Sequence, residues 1–396
     1  MDIFQRCYEF TRAEEVKALN LYPYFHPIEE NEGPVVHIYG KKMVMAGSNN
    51  YLGLTAHPKV REAGENAIKK YGTGCSGSRY LTGTLDLHIE LEARLAKFLG
   101  YESVLLFSTG YQTSIGVIST LVQKGDYSVL DREDHACIFS GALLAKGQFA
   151  DYIRYKHNDM LDLDKVLSQL PEKSGKLIVS DGIFSVTGEI LNLPDLLSVA
   201  KKHGARVLVD DAHAVGVIGN GGRGTASHFG LTEATDMTLG TFSKTFASLG
   251  GFLAGPERVI NYIKHHSPAI IFSASPTPAS CASALAALEI LEQQPELVDK
   301  LLANADYMRT GFSSMGFKTI EHHSAIVPVI VGETDLALMM WRKIFDKGVF
   351  VNTFVPPGVP PNMSMMRTSY MATHEKEHLD YILNVFNDVG KEMGLI

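Results

Sequence analysis

Two residues in this chain have the type and the setting to act on a carbonyl group. One is Lys244, in Met237-Thr-Leu-Gly-Thr-Phe-Ser-Lys244-Thr-Phe-Ala-Ser-Leu-Gly-Gly-Phe252, and the other is Asp210, in Asp210-Asp211-Ala212-His213. Lys244 follows a short apolar run, and its neighbours are Gly, Thr, Ser, Phe and Ala. Removing an ammonium from water disfavours the charged form and lowers its pKa. A neutral lysine amine is a nucleophile that forms a Schiff base with a carbonyl. The alternative is a lysine whose stem lies along the surface with its head in water. An Asp-x-x-His pair also occurs in metal sites and nucleotide hydrolases. The hydrolase needs a G-x-x-x-x-G-K-[ST] loop, and Ser243 stands where that glycine belongs. No further Cys, His or carboxylate ligands stand in an obvious pattern, so no metal is expected.

Both residues need strands to present them. Apolar runs at 103–108, 127–131, 176–181, 206–210, 237–241 and 251–255, with another at 152–155, alternate with helical stretches such as 161–170 and 193–203. Buried strands separated by helices predict a mostly parallel seven-stranded sheet, covered on both faces. Ligands of such sheets gather beyond the carboxyl ends of the strands. The runs end in Ser108-Thr109, Asp131, Asp181, Asp210 and Thr241. That rim is the expected site.

Residues 1–55 read as a helix, an irregular stretch around Pro23 and Pro27, and a strand pair turning at Gly40. Residues 56–290 carry the large sheet. A long helix running from Ala279 toward Met308 leads into a smaller C-terminal α/β domain, 291–396, with strands at 325–331, 349–354 and 366–370.

Composition narrows the function classes. The chain has 396 residues, 45% hydrophobic and 20% charged, enough for two or three domains with a sizeable core. A net charge of −8 without a basic block argues against a nucleic-acid partner. Cys7, Cys75, Cys137 and Cys281 form no CxxC pair and fit a reducing, cytoplasmic setting. The start, Met1-Asp-Ile-Phe-Gln-Arg6, lacks the apolar core of a signal peptide, and no run approaches the ~20 apolar residues of a membrane span. A peripheral contact with the inner membrane stays open.

Pyridoxal 5′-phosphate uses Asp210 and Lys244 together. This cofactor needs a lysine for its aldehyde and a carboxylate to keep its pyridine nitrogen protonated. Its phosphate needs backbone donors at a helix start. Ser108-Thr109-Gly110-Tyr111-Gln112-Thr113 offers a strand, a glycine turn and a helix start, and Thr241 and Ser243 can add hydroxyls. His135 lies just past another strand end, where its flat ring could stack on the cofactor or could stand in solvent as a loop histidine.

The combination of Tyr71-Gly-Thr-Gly-Cys-Ser-Gly-Ser-Arg79, Leu81-Thr-Gly-Thr-Leu-Asp-Leu-His88, Val209-Asp-Asp-Ala-His213 and Gly240-Thr-Phe-Ser-Lys244 resembles the α-oxoamine synthases. These are fold-type I pyridoxal phosphate enzymes that join an amino acid to an acyl-CoA and release CO2. The form of the motifs is most similar to the bacterial branch that takes L-serine and a long-chain acyl-CoA, palmitoyl-CoA, to 3-ketosphinganine for sphingolipid synthesis. The resemblance implies a homodimer with sites at the subunit interface. It makes Lys244 the Schiff-base lysine and Asp210 the partner of the pyridine nitrogen. It also sets His213 at the ring's 3′-oxygen, His135 on the ring and Ser185 close by. Gly110, Tyr111, Thr241 and Ser243 would hold the phosphate, with Ser273 and Ser275 near that of the neighbouring subunit. Arg367 would bind the amino-acid carboxylate, with Asn49 beside it. At 266–271, His-Ser-Pro-Ala-Ile-Ile stands where relatives carry Asn-Ala-Arg. The 8-amino-7-oxononanoate synthases, 2-amino-3-ketobutyrate CoA ligases and 5-aminolevulinate synthases are rivals within the family. A lysine-less, non-catalytic subunit is disfavoured by Lys244.

Overall fold

The computed structural model describes residues 2–396. Its largest sheet has seven strands, labelled here in chain order: β1 (Ser103–Phe107), β2 (Tyr127–Asp131), β3 (Asp151–Tyr155), β4 (Lys176–Asp181), β5 (Arg206–Asp210), β6 (Met237–Thr241) and β7 (Gly251–Gly255). Their spatial order is β1-β7-β6-β5-β4-β2-β3. Six strands run parallel, while β7 is antiparallel to both of its neighbours. The expected α/β architecture, a mostly parallel seven-stranded sheet under helices, is what the chain adopts.

The strands form where apolar residues run on without alternation, because both faces are covered. Val207, Leu208 and Val209 of β5 are each 2% exposed or less. Each such side chain contributes about 1.5–3 kcal/mol when buried. On one face, Leu91, Leu95 and Phe98 pack with Leu106, Phe252 and Leu288. On the other, Val117 and Ile118 meet Leu105, Leu253 and Ile263. Register then fixes the rim. Asp181 stands opposite Asp210, and Gly251 pairs with both Thr241 and Phe107, so the start of β7 lies level with the ends of β1 and β6.

A separate core gathers Phe312, Trp341, Ile344 and Phe386 with Val36, Ile38, Met43 and Met45 from the N-terminal hairpin. The hairpin, Val35–Ile38 and Lys41–Met45, therefore packs on the C-terminal layers. Two expectations are corrected here. The helix foreseen from Ala279 toward Met308 is two helices, Pro278–Gln293 and Glu296–Met315. Pro295 lacks an N–H and disfavours helix at Gln294, so the first helix stops before it. The strand foreseen over 349–354 is also divided. Val349–Phe350 pairs with Val44 and Met45, whereas Asn352–Phe354 pairs with Met365, Met366 and Arg367. Among the described residues no helix is long and apolar enough to cross a membrane.

Candidate active site

A cavity of about 260 Å³ opens at the carboxyl rim, lined by Gly110, Tyr111, His135, Asp210, His213, Thr241, Ser243 and Lys244. Eight residues singled out from the sequence thus converge on one space. Its two ends differ in charge.

At one end begins the helix Gly110–Leu121, capped by the Thr109 hydroxyl, which accepts the Gln112 N–H at 3.1 Å. The first N–H groups of a helix lack intrahelical partners and attract anions. The helix reaches the rim because residue 110 is glycine. A Cβ there would lie 2.8 Å from Cβ of Thr241. Thr241 Oγ1 accepts the Ser243 N–H at 3.2 Å, donates to the Gly250 carbonyl at 3.0 Å and lies 2.9 Å from Ser243 Oγ. The strand end and the turn carrying Lys244 are tied together by these bonds.

At the other end are carboxylates. Asp210, 4% exposed, accepts the Ala212 N–H at 3.0 Å, and the Cys137 thiol lies 3.8 Å from its second oxygen. Burial raises its pKa, while the charge of Lys244 works against that rise. Asp181, its register partner, is raised further by burial and by Asp210, and its Oδ2 has no hydrogen-bond partner. For Lys244, burial lowers the amine to about 8, although Asp210 and Asp181 pull it upward. His135 stands at the cavity mouth, its Nδ1 2.9 Å from Cys137 Sγ. Desolvation lowers its pKa, against the pull of Asp210.

His213 is neutral, its pKa pushed well down by burial and by the charges of Lys244 and Arg367. Its Nδ1 lies 2.6 Å from the hydroxyl of Tyr51, which Arg367 Nη2 also reaches at 3.5 Å. Arg367, 2% exposed, donates from Nε to the Ser185 carbonyl at 3.0 Å and from Nη1 to Asn49 Oδ1 at 2.8 Å. Arg367, Asn49 and Ser185 thus form a second group, joined to the cavity through Tyr51 and His213. Ser273 and Ser275 line no part of the cavity, and the Ser275 hydroxyl donates to the Gly77 carbonyl at 3.0 Å. Among the cavity and linking residues, the functional side chains of Tyr51, Cys137 and Asp181 were not singled out from the sequence. Only Asp181 carried a signal, as a polar strand end beside Asp210.

Residues 41–386 match the family model described as aminotransferase class I and II. The chain belongs to that family. A serine palmitoyltransferase of Sphingobacterium spiritivorum is 48% identical over 95% of this chain and 94% of its own length. An 8-amino-7-oxononanoate synthase of Thermoanaerobacter pseudethanolicus is 40% identical over 97% of each. Among solved structures, a serine palmitoyltransferase of Sphingomonas wittichii superposes with a TM-score of 0.96 at 35% identity, covering all of both chains. A high-resolution structure of SPT with PLP does so at 0.96 and 36%, again with full coverage. The resemblance to the α-oxoamine synthases, the fold-type I architecture and the enzyme assignment therefore hold.

The class I and II cavity fits pyridoxal phosphate on its own geometry. Asp210, a buried carboxylate lining the cavity beside the unpartnered Oδ2 of Asp181, suits a cationic ring nitrogen. The Gly110 helix start opposite suits a phosphate. Lys244 lines the same space as both.

Proposed function

We propose that the protein condenses L-serine with a long-chain acyl-CoA, palmitoyl-CoA, releasing CoA and CO2 and giving 3-ketosphinganine, the first step of sphingolipid synthesis. The cofactor chemistry rests on the convergence of Lys244, Asp210 and the Gly110 helix start on one cavity, and the choice of serine and palmitoyl-CoA rests on the serine palmitoyltransferase relatives at 43–48% identity. Pyridoxal phosphate, when bound there, supplies an electron sink for chemistry at the amino acid's α-carbon.

The chain's own residues have separable tasks. Lys244 Nζ, lowered to about 8, would hold the cofactor through its aldehyde and, once released, would be the base for the α-proton of serine. Asp210 would hold a proton on the pyridine nitrogen, and the ring of His135, which lines the same cavity, would stack on the cofactor. His213 would donate to the 3′-oxygen through Nε2–H. Gly110, Tyr111, Thr241 and Ser243 would hold the phosphate. Arg367 pairs with the serine carboxylate, a task suited to its fork of donors, with Asn49 and Ser185 steadying the guanidinium.

A homodimer in the cytoplasm belongs to the same proposal. Leu249 lines the cavity yet is 54% exposed, and Phe272, beside Ser273 and Ser275, is 84% exposed. A second copy would cover these apolar groups and bring Ser273 and Ser275 to its own phosphate site. In this reading the proline-rich segment 354–361, which precedes the Arg367 strand Ser364–Ser369, would guide the acyl tail. A second reading rests on the 8-amino-7-oxononanoate synthase relative. Purified protein supplied with serine and palmitoyl-CoA, with products followed by mass, tests the first reading. Product from pimeloyl-CoA instead would favour the second.

A further inference from the structure

His157 is named in none of the roles above, yet its side chain ties together the two turns that carry His135 and Ser185. It stands just past β3. Its Nδ1 lies 2.9 Å from Asp131 Oδ1 at the end of β2, and its Nε2 lies 2.9 Å from Glu189 Oε2. The ring also meets that of Phe184 edge-on, with centroids 4.3 Å apart.

Each partner governs a turn at the site. Asp131 accepts the N–H groups of Glu133 at 2.8 Å and Asn158 at 2.6 Å, shaping the turn that delivers His135. Glu189 and Phe184 belong to a small hairpin closed by Phe184 N–H to Glu189 carbonyl at 2.9 Å and Leu191 N–H to Gly182 carbonyl at 3.0 Å. At the hairpin tip, the Ser185 carbonyl receives Nε of Arg367 at 3.0 Å, and the Gly188 carbonyl receives the Ser324 hydroxyl at 2.8 Å. A shift of the hairpin therefore moves an acceptor of Arg367.

We propose that His157 is a positioning residue: by bridging Asp131 and Glu189 it locks the His135 turn and the Ser185 hairpin into one piece, and through Ser185 it sets the guanidinium of Arg367. The inference rests on the reading that Arg367 binds the amino-acid carboxylate.

The bridge holds best with both ring nitrogens protonated, since each then donates to a carboxylate. Every ionisable group facing the ring bears on this. Asp131 is fully buried, Glu189 is half-buried, and Glu133 Oε2 lies 3.9 Å from Nε2. From the C-terminal layers, His322 Nε2 stands 4.0 Å from the other oxygen of Glu189, with burial lowering its own pKa. Burial also works to lower His157, but its hydrogen bonds to Asp131 and Glu189 raise it to about 10. Ligand atoms of Glu133, His157 and Glu189 lie within 4.8 Å of one another, a spacing a metal ion could use. Both nitrogens of His157 are already committed to carboxylates, which favours the proton bridge.

The test compares serine affinity, read from the cofactor's absorbance, in four proteins. These are the wild type, His157→Gln, Arg367→Ala and His203→Gln. His203 pairs with Asp164 at 2.7 Å, away from the cavity, and serves as the matched control for losing a histidine–carboxylate contact. His157→Gln is expected to keep its cofactor and bind serine about tenfold more weakly, and Arg367→Ala tenfold to a hundredfold more weakly. His203→Gln should match the wild type. In labelled wild-type protein, NMR of the His157 ring should show both nitrogens protonated at pH 8. If His157→Gln does not fold, Glu189→Gln replaces it and should weaken serine binding while lowering the His157 pKa. Wild-type serine affinity in the folded variant, with Arg367→Ala still weakened, would overturn the inference and leave the Arg367 reading standing. No effect of Arg367→Ala would overturn both. A neutral His157 at pH 8, or tight binding of zinc that His157→Gln abolishes, would also overturn the bridge.

Discussion

The hydroxyl of Tyr51 lies 2.6 Å from Nδ1 of His213, across 162 residues of sequence. Arg367 can only donate, so the Tyr51 oxygen accepts from it, and the Tyr51 O–H has two acceptors in reach, His213 Nδ1 at 2.6 Å and Asn49 Oδ1 at 3.4 Å. The Nδ1 contact is the shorter of the two, and a Tyr51 O–H sent there leaves the proton of a neutral His213 on Nε2. The tautomer is fixed from behind, and the group that reaches the cavity is a donor. Tyr51→Phe removes this control at a cost of about 0.5–1.5 kcal/mol. We expect the variant to fold and to hold pyridoxal phosphate roughly threefold to tenfold more weakly. Equilibrium dialysis of the cofactor checks this, and unchanged affinity would show that the tautomer does not matter.

Lys244 should carry the cofactor. Borohydride reduction of the loaded protein followed by peptide mapping is expected to place the pyridoxyl group on Lys244. Lys244→Ala should lose the lysine-bound absorbance. A label on any other lysine contradicts the assignment.

Asp210→Asn should bind cofactor and yet fail at the α-carbon, because an amide cannot hold a proton on the pyridine nitrogen. Hydrogen–deuterium exchange at Cα of bound serine is expected to slow by roughly a hundredfold, the scale of losing one preorganised electrostatic partner. Exchange at the wild-type rate would give Asp210 another role.

The lowered amine of Lys244 makes cofactor loading depend on pH. Only the neutral amine attacks a carbonyl, and its share rises as pH passes about 8. For stripped protein, the loading rate should climb about tenfold from pH 7 to pH 9, as expected for one titrating group. The negative charge of Asp210 raises the Lys244 pKa, so Asp210→Asn should move the midpoint to lower pH. A wild-type midpoint near the ordinary 10.5 would mean that the amine is solvated.

How much of this was legible in the sequence depends on how far apart the partners lie. The strands of the large sheet announced themselves because Val207-Leu-Val209 and its counterparts are unbroken apolar runs, buried on both faces. The rim followed, since five of the runs end in Ser108-Thr109, Asp131, Asp181, Asp210 and Thr241. The division of 349–354 was hidden, because Val349 and Asn352 sit in one continuous β-like pattern while pairing with different sheets. The break at Pro295 was masked by helical periodicity on both sides. Tyr51 carried no signal because its meaning lies in a ring nitrogen far along the chain. Lys244 and Asp210 were legible because each needs only its own strand end.

The central claim is most directly tested by supplying the purified protein with a panel of amino acids and acyl-CoAs and identifying the products by mass. The account predicts 3-ketosphinganine from L-serine and palmitoyl-CoA, with little product from acetyl-, succinyl- or pimeloyl-CoA and any amino acid. If glycine with a short acyl-CoA, or alanine with pimeloyl-CoA, outperforms serine with palmitoyl-CoA, the enzyme class stands and the sphingolipid assignment is contradicted.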